Sequence, residues 1–176
     1  MISFGPPACA NRIRVAPTRW SRTVRVRPRV GGGYVLEAVQ RFPGPPDAVF
    51  PFFADAGNLE RITPPWLRFR IIAAPERLEL GSLIDYRLRV RGVPIRWRTE
   101  ITAWEPPHRF VDDQVRGPYR WWHHEHVFEA DGDGTRAIDR VDYAPTGGRL
   151  ANRVVVQRDL ERIFTYRQQV LADVLR

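Results

Sequence analysis

The chain has 176 residues, 43% of them hydrophobic and 11% aromatic, which is the size and make-up of one globular domain with its own core. Its formal charge is +8, but Arg12, Arg14, Arg19, Arg22, Arg25, Arg27 and Arg29 lie in the first 33 residues with no acid among them, so the remainder carries only +1. A basic face able to track nucleic acid is therefore not expected, and no apolar run of about 18 residues exists to span a membrane. All 28 basic residues are arginine, a bias of composition rather than a binding signal. The single cysteine, Cys9, excludes an internal disulfide and a cysteine-based metal site. It permits a reducing compartment, and the cytoplasm is the expected location.

Residues 1 to 33 contain Pro6, Pro7, Pro17, Pro28 and the run Gly31-Gly32-Gly33 without a sustained period, so a flexible Arg-rich extension is predicted there. It lacks the apolar core of a secretory signal. A first strand follows over Tyr34 to Phe42, and Pro43-Gly44-Pro45-Pro46 ends it. Asp47 to Arg61 carries Val49, Phe50, Phe53, Ala54 and Leu59 with Gly57-Asn58 in between, which predicts two short helices.

Strands are then predicted over Trp66 to Ala74, Ser82 to Arg91, Ile95 to Trp104, Arg109 to Arg116, Arg120 to Ala130 and Thr135 to Ala144, separated by Gly- and Pro-rich turns. The clearest puts Ile84, Tyr86, Leu88 and Val90 against Asp85, Arg87, Arg89 and Arg91. Ala151 to Leu175 reads as one long helix of roughly 37 Å. Its predicted inner arc is Arg153, Val156, Leu160, Ile163, Phe164, Arg167, Leu171 and Val174, with Gln157, Arg158, Glu161, Arg162, Gln168 and Asp173 outside. A curved antiparallel sheet wrapped on that helix buries both apolar faces, which makes the fold class α+β.

Alternation also places polar groups inside. If Phe110 faces the helix, Asp112 and Gln114 do too; if Phe128 does, so do His126, His124 and Trp122; and Val141 with Tyr143 carries Asp139 inward. Arg167 lies on the helix stripe that faces them. Buried groups of this kind must bond to one another, to water or to a ligand. They form either the polar wall of a cavity or an internal network that touches no ligand. His124 and His126, two residues apart on one strand, can supply two metal ligands, with Asp112 or Asp139 as a third. Neither a metal nor any other cofactor is assigned on this basis. No G-x-S-x-G or phosphate-loop motif is present.

The segments Asn58-Leu59-Glu60-Arg61-Ile62-Thr63-Pro64-Pro65-Trp66, Trp104-Glu105-Pro106-Pro107-His108-Arg109-Phe110, Gly117-Pro118-Tyr119, Trp122-His123-His124-Glu125-His126-Val127-Phe128 and Asp139-Arg140-Val141-Asp142-Tyr143 resemble a bacterial branch of the START-like superfamily, also called SRPBCC. The group is that of polyketide cyclase/dehydrase or ligand-binding SRPBCC domains. The resemblance covers residues 34 to 175 and implies a helix-grip fold: seven antiparallel strands curled around the C-terminal helix, two short helices after strand 1, and a deep apolar cavity. A ligand-binding domain is thus expected over residues 34–176.

The expected partner is a small hydrophobic or amphipathic molecule, touched by Phe53, Tyr86, Trp97, Phe110, Asp112, Gln114, His124, His126, Asp139, Leu160, Phe164 and Arg167. If the chain catalyses a cyclase/dehydratase reaction instead, His124, His126 and Asp112 are the acid–base candidates. A third expectation is an accessory or regulatory module that works through a protein partner.

Overall fold

Short-period alternation broken by turn residues puts most of this chain into one antiparallel sheet, and the computed structural model, which describes residues 23–176, shows its extent. The strands are β1 (Thr23–Pro28), β2 (Tyr34–Pro43), β3 (Arg70–Ala73), β4 (Leu83–Val90), β5 (Val93–Glu105), β6 (Arg109–Arg116), β7 (Tyr119–Asp131) and β8 (Gly134–Pro145). Between β2 and β3 lie α1 (Pro46–Phe53), α2 (Asn58–Ile62) and a 3₁₀ turn, Pro65–Leu67. After β8 come α3 (Gly148–Ala151), a π-helical turn (Asn152–Val156) and α4 (Gln157–Val174). The order across the sheet is β1-β2-β8-β7-β6-β5-β4-β3, with every neighbouring pair antiparallel.

The sheet has eight strands where seven were expected, because it starts at Thr23 rather than at Tyr34. In Thr23-Val24-Arg25-Val26-Arg27 the valines point inward to pack near Leu36, Tyr143 and Phe164 while the arginines face water. Gly31-Gly32-Gly33 is the hairpin turn to β2, with all three φ angles positive. At Gly33 a Cβ would sit 2.6 Å from the Tyr143 carbonyl oxygen and 2.7 Å from the Trp121 ring, so glycine is required there. β1 thus falls inside the stretch where an extension was expected over residues 1–33; the rest of that expectation, with Cys9, Arg12, Arg14, Arg19 and Arg22, lies outside the described residues.

Trp66 is not in a strand. Pro64 and Pro65 favour the 3₁₀ turn, Arg68 takes a left-handed conformation (φ 46°), and only Arg70–Ala73 pairs with β4, through an irregular register. The C-terminal helix also departs from a uniform 3.6-residue pitch. The π turn inserts an extra residue and shifts the phase of the residues before α4, so Asn152 is buried while Arg153 faces solvent; within α4, Gln168 lies one turn beyond Phe164 and is buried with it, and Val174 at the helix end faces solvent.

Two amide clamps hold this helix to the sheet. Gln168 donates from Nε2 to the Val39 carbonyl (3.0 Å), and Gln40 donates from Nε2 to the Gln168 carbonyl (3.0 Å). Nearer the start of the helix, the Tyr143 hydroxyl donates to Asn152 Oδ1 (2.9 Å).

The main core lies between the sheet and α1. Phe50 meets Trp104, Phe110 and Phe128 edge-on, with ring centroids 5.5, 5.9 and 5.4 Å away, and it is 4% exposed. Phe50→Ala is expected to cost about 3–5 kcal/mol, since the rigid sheet beneath cannot collapse into the hole. Urea denaturation measures this, and a loss below about 1 kcal/mol would contradict the packing described.

Candidate functional site

The same inward alternation that builds the core changes character halfway along β5 to β8. Near α1 the inward residues are Ile101, Phe110, Phe128 and Ala137; one step along they become Thr99, Asp112, His124, His126 and Asp139. Register lines them up across the strands: Phe110 lies opposite His126, Asp112 opposite His124, and His126 opposite Asp139.

The four ionisable groups form a closed ring. Asp112 Oδ2 is 3.2 Å from His126 Nε2 and 3.4 Å from His124 Nδ1. Asp139 Oδ1 is 2.6 Å from His126 Nδ1 and 3.3 Å from His124 Nε2. Of these contacts, only that between His126 and Asp112 has the alignment of a hydrogen bond. The Thr99 hydroxyl donates to Asp112 Oδ1 (3.0 Å), which fixes that carboxylate's second oxygen. The imidazoles lie 3.8 Å apart, and His126 stacks on Phe110 at 4.1 Å.

Each group's charge follows from these neighbours. Burial alone would raise the Asp112 carboxyl, but the charge of His124 and the bonds from His126 and Thr99 hold it below its ordinary range. Asp139 feels the same burial and is held well below by His126, His124 and Arg167. Burial and the neighbouring charge of His126 push His124 down despite both carboxylates. For His126, burial is outweighed by Asp139 and Asp112, and its pKa rises. Two carboxylates thus face two imidazoles with opposed shifts, and Arg167 adds a positive charge that lowers Asp139 further.

Asp112, His124 and His126 of this ring form one wall of a cavity of about 180 Å³ between the sheet, α2 and α4. The rest of the lining is mostly apolar: Phe53, Phe69, Leu78, Ile84, Tyr86, Leu88, Trp97, Ile101, Trp122, Leu160 and Ile163, with the exposed Asp55 on the solvent side. Tyr86 stacks on Trp97 (5.7 Å), and Trp97 meets Trp122 edge-on (5.3 Å). The Trp97 Nε1 and Arg167 Nε groups are buried and have no hydrogen-bond acceptor among the described residues.

Nine of the residues expected at the site meet at this cavity: Phe53, Tyr86, Trp97, Phe110, Asp112, His124, His126, Leu160 and Arg167. Three do not. Gln114 turns back to close the β6–β7 hairpin, its Nε2 donating to the Tyr119 carbonyl (2.9 Å). Phe164 is 2% exposed and packs among Leu36, Ala38, Val141 and Tyr143. Asp139 stands behind the histidines, out of reach of the cavity. Sequence reasoning missed Thr99 as a site residue, although it alternates in phase with Trp97 and Ile101. It also missed Tyr119 and Ile163, which line the cavity as well.

An antiparallel sheet gripping a long C-terminal helix, with an apolar cavity between them, is the helix-grip architecture of the START-like, or SRPBCC, superfamily. Within it, the chain belongs to the family described as polyketide cyclase / dehydrase and lipid transport, whose sequence profile matches residues 33–176. No curated protein matches the chain.

Among solved structures, protein Ms6760 from Mycobacterium smegmatis is similar at 21% identity and a TM-score of 0.65, over 88% of this chain and 98% of that one. Protein TTHA0849 from Thermus thermophilus is similar at 19% identity and 0.65, over 80% and 96%. Major latex-like protein 151 of Panax ginseng is similar at 14% identity and 0.60, also over 80% and 96%. At such identities the likeness is one of fold. Family and fold are consistent with ligand binding in the cavity, and no helix among the described residues is long and apolar enough to cross a membrane.

Because the four groups are buried against one another, removing one should be felt by all. Asp139→Asn removes a negative charge from among them and is expected to destabilise the protein by about 3 kcal/mol or more. Urea denaturation monitored by circular dichroism reads this, and a neutral result would show that the ring is not a coupled unit.

Proposed function

We propose that the protein binds, and possesses the cavity to carry, a small amphipathic molecule with an apolar body of one or two rings and an acceptor oxygen at one end. The observation that carries this reading is the pair of orphan donors, Trp97 Nε1 and Arg167 Nε, on residues that line an otherwise apolar cavity. Leaving a buried donor unpaired costs about 1–3 kcal/mol, and a guest that brings an acceptor removes that penalty as it buries its own apolar surface.

The size of the guest follows from the volume. About 150 Å³ accommodates a benzene-sized molecule, so 180 Å³ suits a compact aromatic better than a long acyl chain. The family's description joins polyketide cyclisation with lipid transport; the cavity's volume and aromatic lining favour the polyketide-like end of that range.

A second reading, catalysis of the cyclase/dehydratase type, is favoured by one observation: the imidazole–carboxylate pair of His126 and Asp112, 3.2 Å apart on the cavity wall. Such a pair can pass a proton to or from a guest. Turnover of aromatic polyketide-like compounds that is lost in both His126→Gln and Asp112→Asn would select it.

The binding reading is tested with 2-naphthoate, naphthalene and palmitate as probes, followed through tryptophan fluorescence. Naphthoate is expected to bind saturably and more tightly than naphthalene, with palmitate weakest. Arg167→Met should weaken naphthoate about 10-fold or more, the worth of a hydrogen bond to a charged group, and Leu160→Trp, which fills the cavity, should abolish binding. Absence of saturable binding by any probe, or indifference to Leu160→Trp, overturns the reading.

A further inference from the structure

We propose that Asp112, His124 and His126 form a binding site for a divalent first-row transition ion, open toward the cavity, with Asp139 as the carboxylate that orients both histidines. Two imidazoles and one carboxylate are the donor set that such ions take when they keep positions for a further ligand. Here one donor atom from each of the three residues lies within 4.8 Å of the others.

The two separations that involve Asp112 match coordination. With metal–ligand bonds of about 2.0–2.2 Å, two ligands of one ion stand about 3.0 Å apart at a right angle and about 3.4 Å apart in a tetrahedron. Asp112 Oδ2 lies 3.2 Å from His126 Nε2 and 3.4 Å from His124 Nδ1. The other oxygen of Asp112 is engaged by the Thr99 hydroxyl, which leaves Oδ2 as the atom presented to an ion.

The groups behind fit the same role. A ligating histidine ordinarily gives its second ring N–H to a carboxylate, which sets the tautomer and the ring plane. If His124 Nδ1 and His126 Nε2 hold the ion, the remaining nitrogens are His124 Nε2 and His126 Nδ1, and both lie within ion-pair reach of Asp139 Oδ1, at 3.3 and 2.6 Å, where a small turn of the rings completes the hydrogen bonds they now lack. Asp112, His124 and His126 line the cavity whereas Asp139 does not. Inner ligands and outer carboxylate are thus sorted by which side of the rings they occupy. The open positions face the cavity, where an oxygen of a bound guest would complete the coordination.

The site does not depend on what the cavity holds, so the test uses the metal alone. The full chain, stripped with a chelator and dialysed, is titrated with Zn²⁺ by calorimetry and with Co²⁺ by visible absorption. One ion per chain is expected, with the visible bands of Co²⁺ bound by nitrogen and oxygen. Asp139→Asn should weaken binding by about 10- to 100-fold, and His124→Gln or Asp112→Asn by more. His123→Gln, a histidine outside the cavity wall that pairs with Asp113, should leave it unchanged.

Failure of the wild-type chain to bind either ion, or equal loss in His123→Gln, overturns the proposal. Should the inner variants not fold, zinc-edge X-ray absorption on the wild-type chain decides: two imidazoles with oxygen support the site, and a shell with sulfur or without imidazole overturns it.

Discussion

Four ionisable side chains share one patch on the inner face of an otherwise apolar sheet, and burying them there requires that they face one another. Each of Asp112, His124, His126 and Asp139 touches two of the others, and Arg167 adds a positive charge from the helix. A one-residue slip of β7 against either neighbour would turn both histidines to the outer face and strand the two aspartates in the interior. The ring therefore specifies the register of the three central strands, beyond what apolar alternation alone enforces.

That polar patch divides the space under the helix. On the α1 side, Phe50, Phe53, Phe110 and Phe128 fill it with interlocked rings. On the far side Trp97, Tyr119 and Trp122 form a second aromatic group. Between them α4 is held by the Gln168 bonds to β2 and, at the turn before it, by the Tyr143–Asn152 bond, while Phe164 meets His124 edge-on. The cavity is what remains when a rigidly held helix crosses a sheet whose central residues are short or polar.

Much of this was legible from spacing. Strands β4 to β8 alternate cleanly, so the inward placement of His124, His126 and Asp112 followed from period two alone. What alternation does not encode is which inward residue stands opposite which, and that decided the fate of the rest. Asp139 faces inward as expected, yet its register opposite His126 puts it behind the rings rather than on the cavity.

Gln114 and Phe164 were also in phase, but a turn carbonyl captured one and full coverage by β2 and β8 the other. The π turn was illegible because a constant 100° step cannot register an extra residue, so Arg153 was read as inward and Asn152 passed over; Gln168 was read as outward for its polarity at the edge of the arc, although one turn beyond Phe164 its amide finds partners on β2. In β1 the alternation was present, but the surrounding prolines, glycines and arginines outweighed five residues of pattern.

The first strand lies outside the stretch matched by the family profile, which begins at residue 33. Were it absent, β2 would become a border strand ten residues long, its outward amides and carbonyls open to any passing chain. β1 is short, carries outward arginines and ends at a proline, the features by which a sheet discourages end-to-end stacking. A segment that contributes nothing to the cavity thus covers the edge that β2 would otherwise offer.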